Sequence, residues 1–293
     1  MLDKDLIINS EELEEDIVDT TDEILSPAQY RARASRIPKE IRASASLLTR
    51  REARYLVNTY YLLQENRLRS NSQRKELVKR GEQVELVDWL ATYSKNQEDH
   101  LKTMLLAYSS THPETQWAMS IRGISGILAS GLLAHIDIEK APTVGNIWSF
   151  AGLNPEQKWD GGLRPWNAKL KVHCWKIGQS FAMVKNHDED IYGHVMEARK
   201  EYEQDRNEKL LYVDQAIKGL ERVNKDTDAF IWYSMGMLPP QQLQTRAERY
   251  AVKLFLSHYH HVAYEIRYGT PPPKPYILNQ DGHTHFVTPP NWN

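Results

Sequence analysis

The stretch Met119-Ser-Ile-Arg-Gly-Ile-Ser-Gly-Ile-Leu-Ala-Ser-Gly-Leu-Leu-Ala-His-Ile136 decides how this chain is read. It begins as an apolar turn, residues 121–126, and opens into a helix with apolar positions Ile127, Leu128, Leu132, Leu133 and Ile136. Gly123 and Gly126 allow the chain to turn tightly. With residues 116–120 as the end of a preceding helix, the pattern predicts a helix-hairpin-helix. At such a helix start the unpaired N–H groups and the positive end of the peptide dipoles converge. A nucleic-acid phosphate can be held there without any base being read. The same Gly-x-x-Gly fits a buried corner in which glycine lets two helices approach closely, and Ser130 and Gly131 are small enough for either reading.

Outward from that segment, composition sets the bounds. A chain of 293 residues has room for one large domain or two. Its 41% hydrophobic and 26% charged residues are those of a globular protein. No apolar run approaches the roughly 20 residues that span a bilayer, and the first ten residues lack the basic start and apolar stretch of a signal peptide. The single cysteine, Cys174, leaves no intramolecular disulfide and no multi-cysteine zinc site, which points to a reducing, cytoplasmic or nucleoid setting. The net charge of −2 hides an asymmetry: residues 1–25 hold ten acids and one base, the remainder 36 bases and 29 acids. The acidic tail reads as solvated disorder, or as a segment that folds back and competes with nucleic acid for the basic body.

The rest reads as helices. Ser26-Pro27 is a helix-start signal. Residues 29–54 carry eight bases and two acids, and Thr49 with Glu52 forms a capping box before an apolar face of Ala53, Leu56, Val57, Tyr60, Tyr61 and Leu63. A second basic cluster, Arg67, Arg69, Arg74, Lys75, Lys79 and Arg80, runs up to Gly81. Helical spacing predicts helices over 83–95, 97–110, 168–184, 190–211 and 243–268, the fourth with apolar positions Tyr192, Val195, Met196 and Tyr202. Gly269-Thr-Pro-Pro-Pro273 stops the last one. Period-2 patterning is almost absent, so the expected fold is all-α with an irregular C-terminal tail. Four segments follow: an acidic tail (1–25), a basic helical region (26–112), a hairpin domain (113–212) and a helical extension with a proline-rich tail (213–293).

Residues 121–136, followed by Phe150-Ala-Gly-Leu-Asn-Pro155, resemble the C-terminal domain of one transposase family. These are the insertion-sequence transposases that join an N-terminal RuvC-like nuclease domain to a helical C-terminal domain and are guided by a bridge RNA. The resemblance covers about residues 117–185, and residues 28–110 stand where the family has a helical connector. It implies DNA binding and a mobile-element or phage origin. The family's nucleophilic serine precedes a glycine just past the Gly-Leu-x-Pro step, and Asp160, before Gly161 and Gly162, stands there instead. A carboxylate cannot replace that serine, because its phosphate adduct would be a labile mixed anhydride. The chain also has no room for the nuclease domain, so DNA binding without strand transfer is what the resemblance implies.

Three further groups carry chemistry in principle. His258 and His261, three apart on a helix, could join His283 or His285 as zinc ligands, or pack as part of an aromatic stripe with Tyr259, Tyr264 and Tyr268. Asp160, Asp188, Glu189 and Asp190 could be taken for a two-metal nuclease site, but adjacent acids at a helix start point in different directions and fit capping better. The loop 159–167 sets Trp159 and Trp166 beside Lys158 and Arg164, which suits stacking on unpaired nucleotides or simple loop packing. P-loop, Rossmann and triad patterns are absent.

The expected function is sequence-indifferent DNA binding. Arg122, Gly123, Ile124, Ser125 and Gly126 would form the phosphate site, with Arg164, Lys169, Lys171 and Lys176 adding charge. No cofactor, resident metal, catalytic residue or membrane partner is expected. Branched DNA or RNA are the variant ligands, and a homo-oligomer is compatible with the sequence. An active transposase or recombinase completed by a partner or guide RNA, for which Asp160 is the candidate catalytic residue, and a helical protein–protein adaptor are the alternatives.

Overall fold

The computed structural model describes residues 37–273 and 287–292. The Ser26-Pro27 helix start, the acidic tail, His283 and His285 lie outside the described residues. The described residues from Pro38 onward fall in one compact unit. Among the described residues there are eleven α-helices and no strand. These are α1 (Lys39–Ser44), α2 (Arg50–Arg80), α3 (Glu85–Ser109), α4 (Pro113–Ser120), α5 (Gly126–His135), α6 (Val144–Phe150), α7 (Ala168–Val184), α8 (Tyr192–Glu208), α9 (Val213–Leu220), α10 (Asp228–Ser234) and α11 (Pro240–Tyr268).

Side chains set most of the helix starts. At α2 the Thr49 Oγ1 accepts from the Glu52 N–H at 3.3 Å and the Glu52 carboxylate accepts from the Thr49 N–H at 2.8 Å, the expected capping box. Thr143 and Asn146 repeat it at α6, and Asn167 caps α7 by accepting from the Leu170 N–H at 3.0 Å. The basic cluster 67–80 continues α2 without a break, giving a 31-residue helix about 46 Å long that pairs with α3. The two helices expected over 83–95 and 97–110 are one, α3, because Lys95-Asn-Gln97 offers no proline or glycine to interrupt it.

The core gathers on α11. Its Ala247, Ala251, Val252, Phe255, Leu256, Tyr259 and Val262 are buried against α4 through α8. Phe255 meets Tyr192 edge-on at 5.2 Å and stacks with Trp117 at 5.9 Å, so one ring ties α4, α8 and α11 together. Residues 287–292 return to this core: the Trp117 Nε1–H donates to the Pro290 carbonyl (2.7 Å) and the Trp292 Nε1–H to Glu265 (2.6 Å). Helix α5 is apolar all round, and nine of its ten residues are buried between α2, α3 and α7.

On α8 the sequence places Tyr202 inside, yet Tyr202 is exposed and Glu203, 1% accessible, is inside instead. Glu203 accepts from Arg199 (2.6 Å), Arg246 (2.7 Å) and the Tyr212 hydroxyl (2.5 Å). Burial alone would raise its pKa, but these donors hold it below the usual carboxylate range. A period reading that counts only apolar residues passes over a buried carboxylate stabilised by two arginines.

Candidate nucleic-acid interface

The hairpin is present and lies at the surface. Helix α4 ends at Ser120; Ile121 and Ile124 plug the core, while Arg122 between them and Ser125 after them are exposed. The Ile124 N–H donates to the Ile121 carbonyl at 3.0 Å, and Gly123 turns the chain with φ +94°. The Ser180 hydroxyl of α7 donates to the Gly123 carbonyl at 2.5 Å and pins the turn. Ser125 then caps α5, accepting from the Leu128 N–H at 3.4 Å, so the Gly126 and Ile127 amides are the first-turn donors with no partner inside the helix. A Cβ on Gly126 would come within 2.9 Å of the Leu106 side chain and 3.1 Å of its Cα. Glycine is therefore what lets α5 approach α3, the corner-packing role that the spacing also allowed.

The turn rims an open hollow of about 720 Å³, lined among others by Ser120, Arg122, Ser125, Glu189, Ile191 and Asn291. Arg122 Nη2 stands 3.4 Å from the His187 Nδ1. Arg122 is the one base and Glu189 the one acid among the described residues lining the hollow.

The other cations expected at the turn are not gathered there. Helix α7 touches the hairpin at Ser180, and Lys169 lies eleven residues away, about 16 Å along the axis. Lys176 sits over the Tyr61 ring at 3.9 Å, in a groove of about 640 Å³ between α2 and α7 that Lys169 also lines. Burial holds Lys176 below the ordinary amine range. Lys171 turns instead to the 159–167 loop, 4.5 Å from the Trp166 ring, while Arg164 lies 5.1 Å from the Trp159 ring. The expected site therefore divides into a hairpin with Arg122, a groove with Lys169 and Lys176, and a tryptophan loop with Arg164 and Lys171.

The tryptophan loop has partners that sequence reasoning missed. Trp159 and Trp166 meet edge-to-face at 6.4 Å. On α11, Lys253 lies 4.3 Å from the Trp148 ring, and the Trp148 Nε1–H donates to the Lys253 carbonyl at 3.1 Å. Arg249 is one turn before Lys253 on the same face. Lys171 is held below the ordinary amine range by burial first, then by the charges of Arg249 and Arg164. Arg164, Lys171, Arg249 and Lys253 form no ion pair among the described residues. The one signal in the sequence was the four-residue spacing of Arg249 and Lys253, which is silent about Lys171 and Trp148, the groups they lie near.

The remaining candidates resolve differently. Asp160 is exposed in the loop, and among the described residues no three His, Cys, Asp or Glu side chains come together as a metal site. Asp190 is buried and its carboxylate accepts the His194 N–H at 3.0 Å, the capping role expected at the start of α8. His258 spends both ring nitrogens: Nε2–H donates to the Val287 carbonyl (2.9 Å), so Nδ1 accepts from the Tyr192 hydroxyl (2.6 Å). Neither is left for a metal. His261 reaches Glu265 at 3.1 Å.

No family model, curated protein or solved structure matches the chain.

Proposed function

We propose that the chain is a cytoplasmic DNA-binding protein of the mobile-element kind, resembling a transposase C-terminal domain, that takes backbone phosphates at the 121–126 hairpin. The observation that carries the reading is the turn itself: the exposed Arg122 and Ser125 rim the open hollow directly before the first turn of α5. Such binding is indifferent to base sequence and weakens steeply with salt, since each neutralised phosphate releases counterions.

Substituting Gly126 is a poor test, because any side chain there collides with Leu106. Ser125→Asp is better. Aspartate caps a helix as well as serine, so the fold is kept, but its carboxylate occupies the place of the phosphate. Duplex affinity at moderate salt falls in Ser125→Asp and in Arg122→Glu, with the melting temperature unchanged. Unaltered duplex binding by both folded variants overturns the hairpin reading.

A second reading has one observation in its favour. At the start of α3, Leu86, Trp89, Leu90 and Tyr93 are exposed, with Trp89 and Tyr93 stacked at 5.4 Å. That apolar tip suits a helical adaptor. Blank gel shifts on duplex, branched and single-stranded substrates would favour it.

A further inference from the structure

We infer that the strip formed by the 159–167 loop, the first turns of α7 and the outer face of α11 takes an unpaired polynucleotide strand. Bases stack on Trp159, and successive phosphates meet Arg164, Lys171, Arg249 and Lys253. This deepens the nucleic-acid reading and rests on it, but on residues remote from the hairpin.

The charge pattern calls for a polyanion. Four cations line this strip without an ion pair among the described residues: Arg164 over Trp159, Lys171 over Trp166, Lys253 over Trp148, and Arg249 one turn before Lys253 on α11. A small anion relieves one of them; a chain of phosphates relieves all four. Arg249 and Lys253 follow each other by about 6 Å along α11, which is the spacing of a track rather than of a pocket.

The aromatic pattern selects an unpaired strand over a duplex. Trp159 is 48% accessible, Leu163 at the loop tip 99%, and Trp175, one turn beyond Lys171 on the same face of α7, 57%. Rings exposed beside phosphate-binding cations gain from bases that have left their stack, and every base offers a face to them. In a duplex those faces are already occupied by neighbouring bases.

The loop that presents the ring is fastened. The Trp159 Nε1–H donates to the Gly162 carbonyl at 2.9 Å, Gln157 donates to the Pro165 carbonyl at 2.9 Å, and the Asn167 N–H donates to the Phe150 carbonyl at 2.8 Å. A pre-ordered ring loses less entropy on binding than a free one.

The test uses the full chain and fluorescence anisotropy with labelled 12-mers of oligo-dT and oligo-rU and a mixed-sequence duplex. Either single strand binding supports the assignment, and the pair tells whether deoxyribose, ribose or both are accepted. For four neutralised phosphates the slope of log K against log salt is about −2.8. Trp159→Ala weakens single-strand affinity roughly tenfold. Arg249→Glu, at an exposed position where folding is not at stake, weakens it and makes the salt slope shallower by at least about 0.7. Duplex binding with no single-strand binding overturns this assignment and leaves the hairpin reading standing. Single-strand binding indifferent to both Trp159→Ala and Arg249→Glu overturns it as well. Poly-glutamate competing as well as oligo-dT does so too, because it has charge and no bases, and blank results on all polynucleotides overturn both readings.

Discussion

Acid should unfold this protein through its buried histidines before its carboxylates protonate. His135, His173 and His258 are buried and each is held neutral, with its pKa pushed down to about 4 from the ordinary 6.5. Burial is the leading cause in all three. Neighbouring positive charge adds to it: His173, Arg54 and Lys169 beside His135, Lys176 beside His173, and His261 beside His258. Hydrogen bonds from the ring to carbonyls, Leu128 for His173 and Val287 for His258, pull the other way and lose.

The sign follows from proton binding. Below pH 6.5 the unfolded chain takes up protons that the fold refuses, so this contribution to stability is complete above about 6.5. It is lost as pH falls and stops changing below about 4. At pH 5 an unfolded histidine is almost fully protonated and a folded one with a pKa of 4 barely so. The difference is about 2 kcal/mol per histidine, or about 6 kcal/mol for three as an upper figure. That is a large part of the 5–15 kcal/mol typical of a domain.

Urea unfolding followed by helical circular dichroism at pH 7.5 and pH 5 measures it. With an m-value of roughly 3 kcal/mol/M, the midpoint drops by about 2 M. His258→Gln keeps a donor for the Val287 carbonyl and cannot titrate, so it should lose about 2 kcal/mol less than the parent over the same interval. A midpoint that moves by less than about 0.5 M, or a His258→Gln variant with the parent's full pH dependence, refutes the reasoning.

Other outcomes follow from packing. Glu203→Ala leaves Arg199, Arg246 and Tyr212 without their shared acceptor and should cost about 3–5 kcal/mol in denaturant unfolding; a loss under about 1 kcal/mol would mean that the network is solvated. Gly131→Ala sets a methyl group inside the fully buried His173 ring, and a melting temperature within a degree of the parent's would contradict that packing. Thr49→Ala removes the capping box of α2 and should cost about 1 kcal/mol, read as a shift in the urea midpoint.

The sequence alone determined the all-α class, the hairpin at 121–126, the capping box at Thr49–Glu52 and the bounds of α7, since each depends on residues within a turn or two of one another. Local steric and hydrogen-bonding rules act over that distance. It misread what depends on a partner element. Nothing near residue 96 announces that α3 is unbroken except the absence of a breaker, and Glu203 looks like a surface acid until Arg246, 43 residues later, packs on it. The cations were visible one by one, but their grouping was not. The hairpin holds Arg122, Lys176 faces α2, and Lys171 joins Arg164, Arg249 and Lys253 around the tryptophans. Helical period tells which face of a helix a lysine occupies. Which neighbour that face meets is set by the packing of α7 against α2, α5 and α11, and only the tertiary structure decides it.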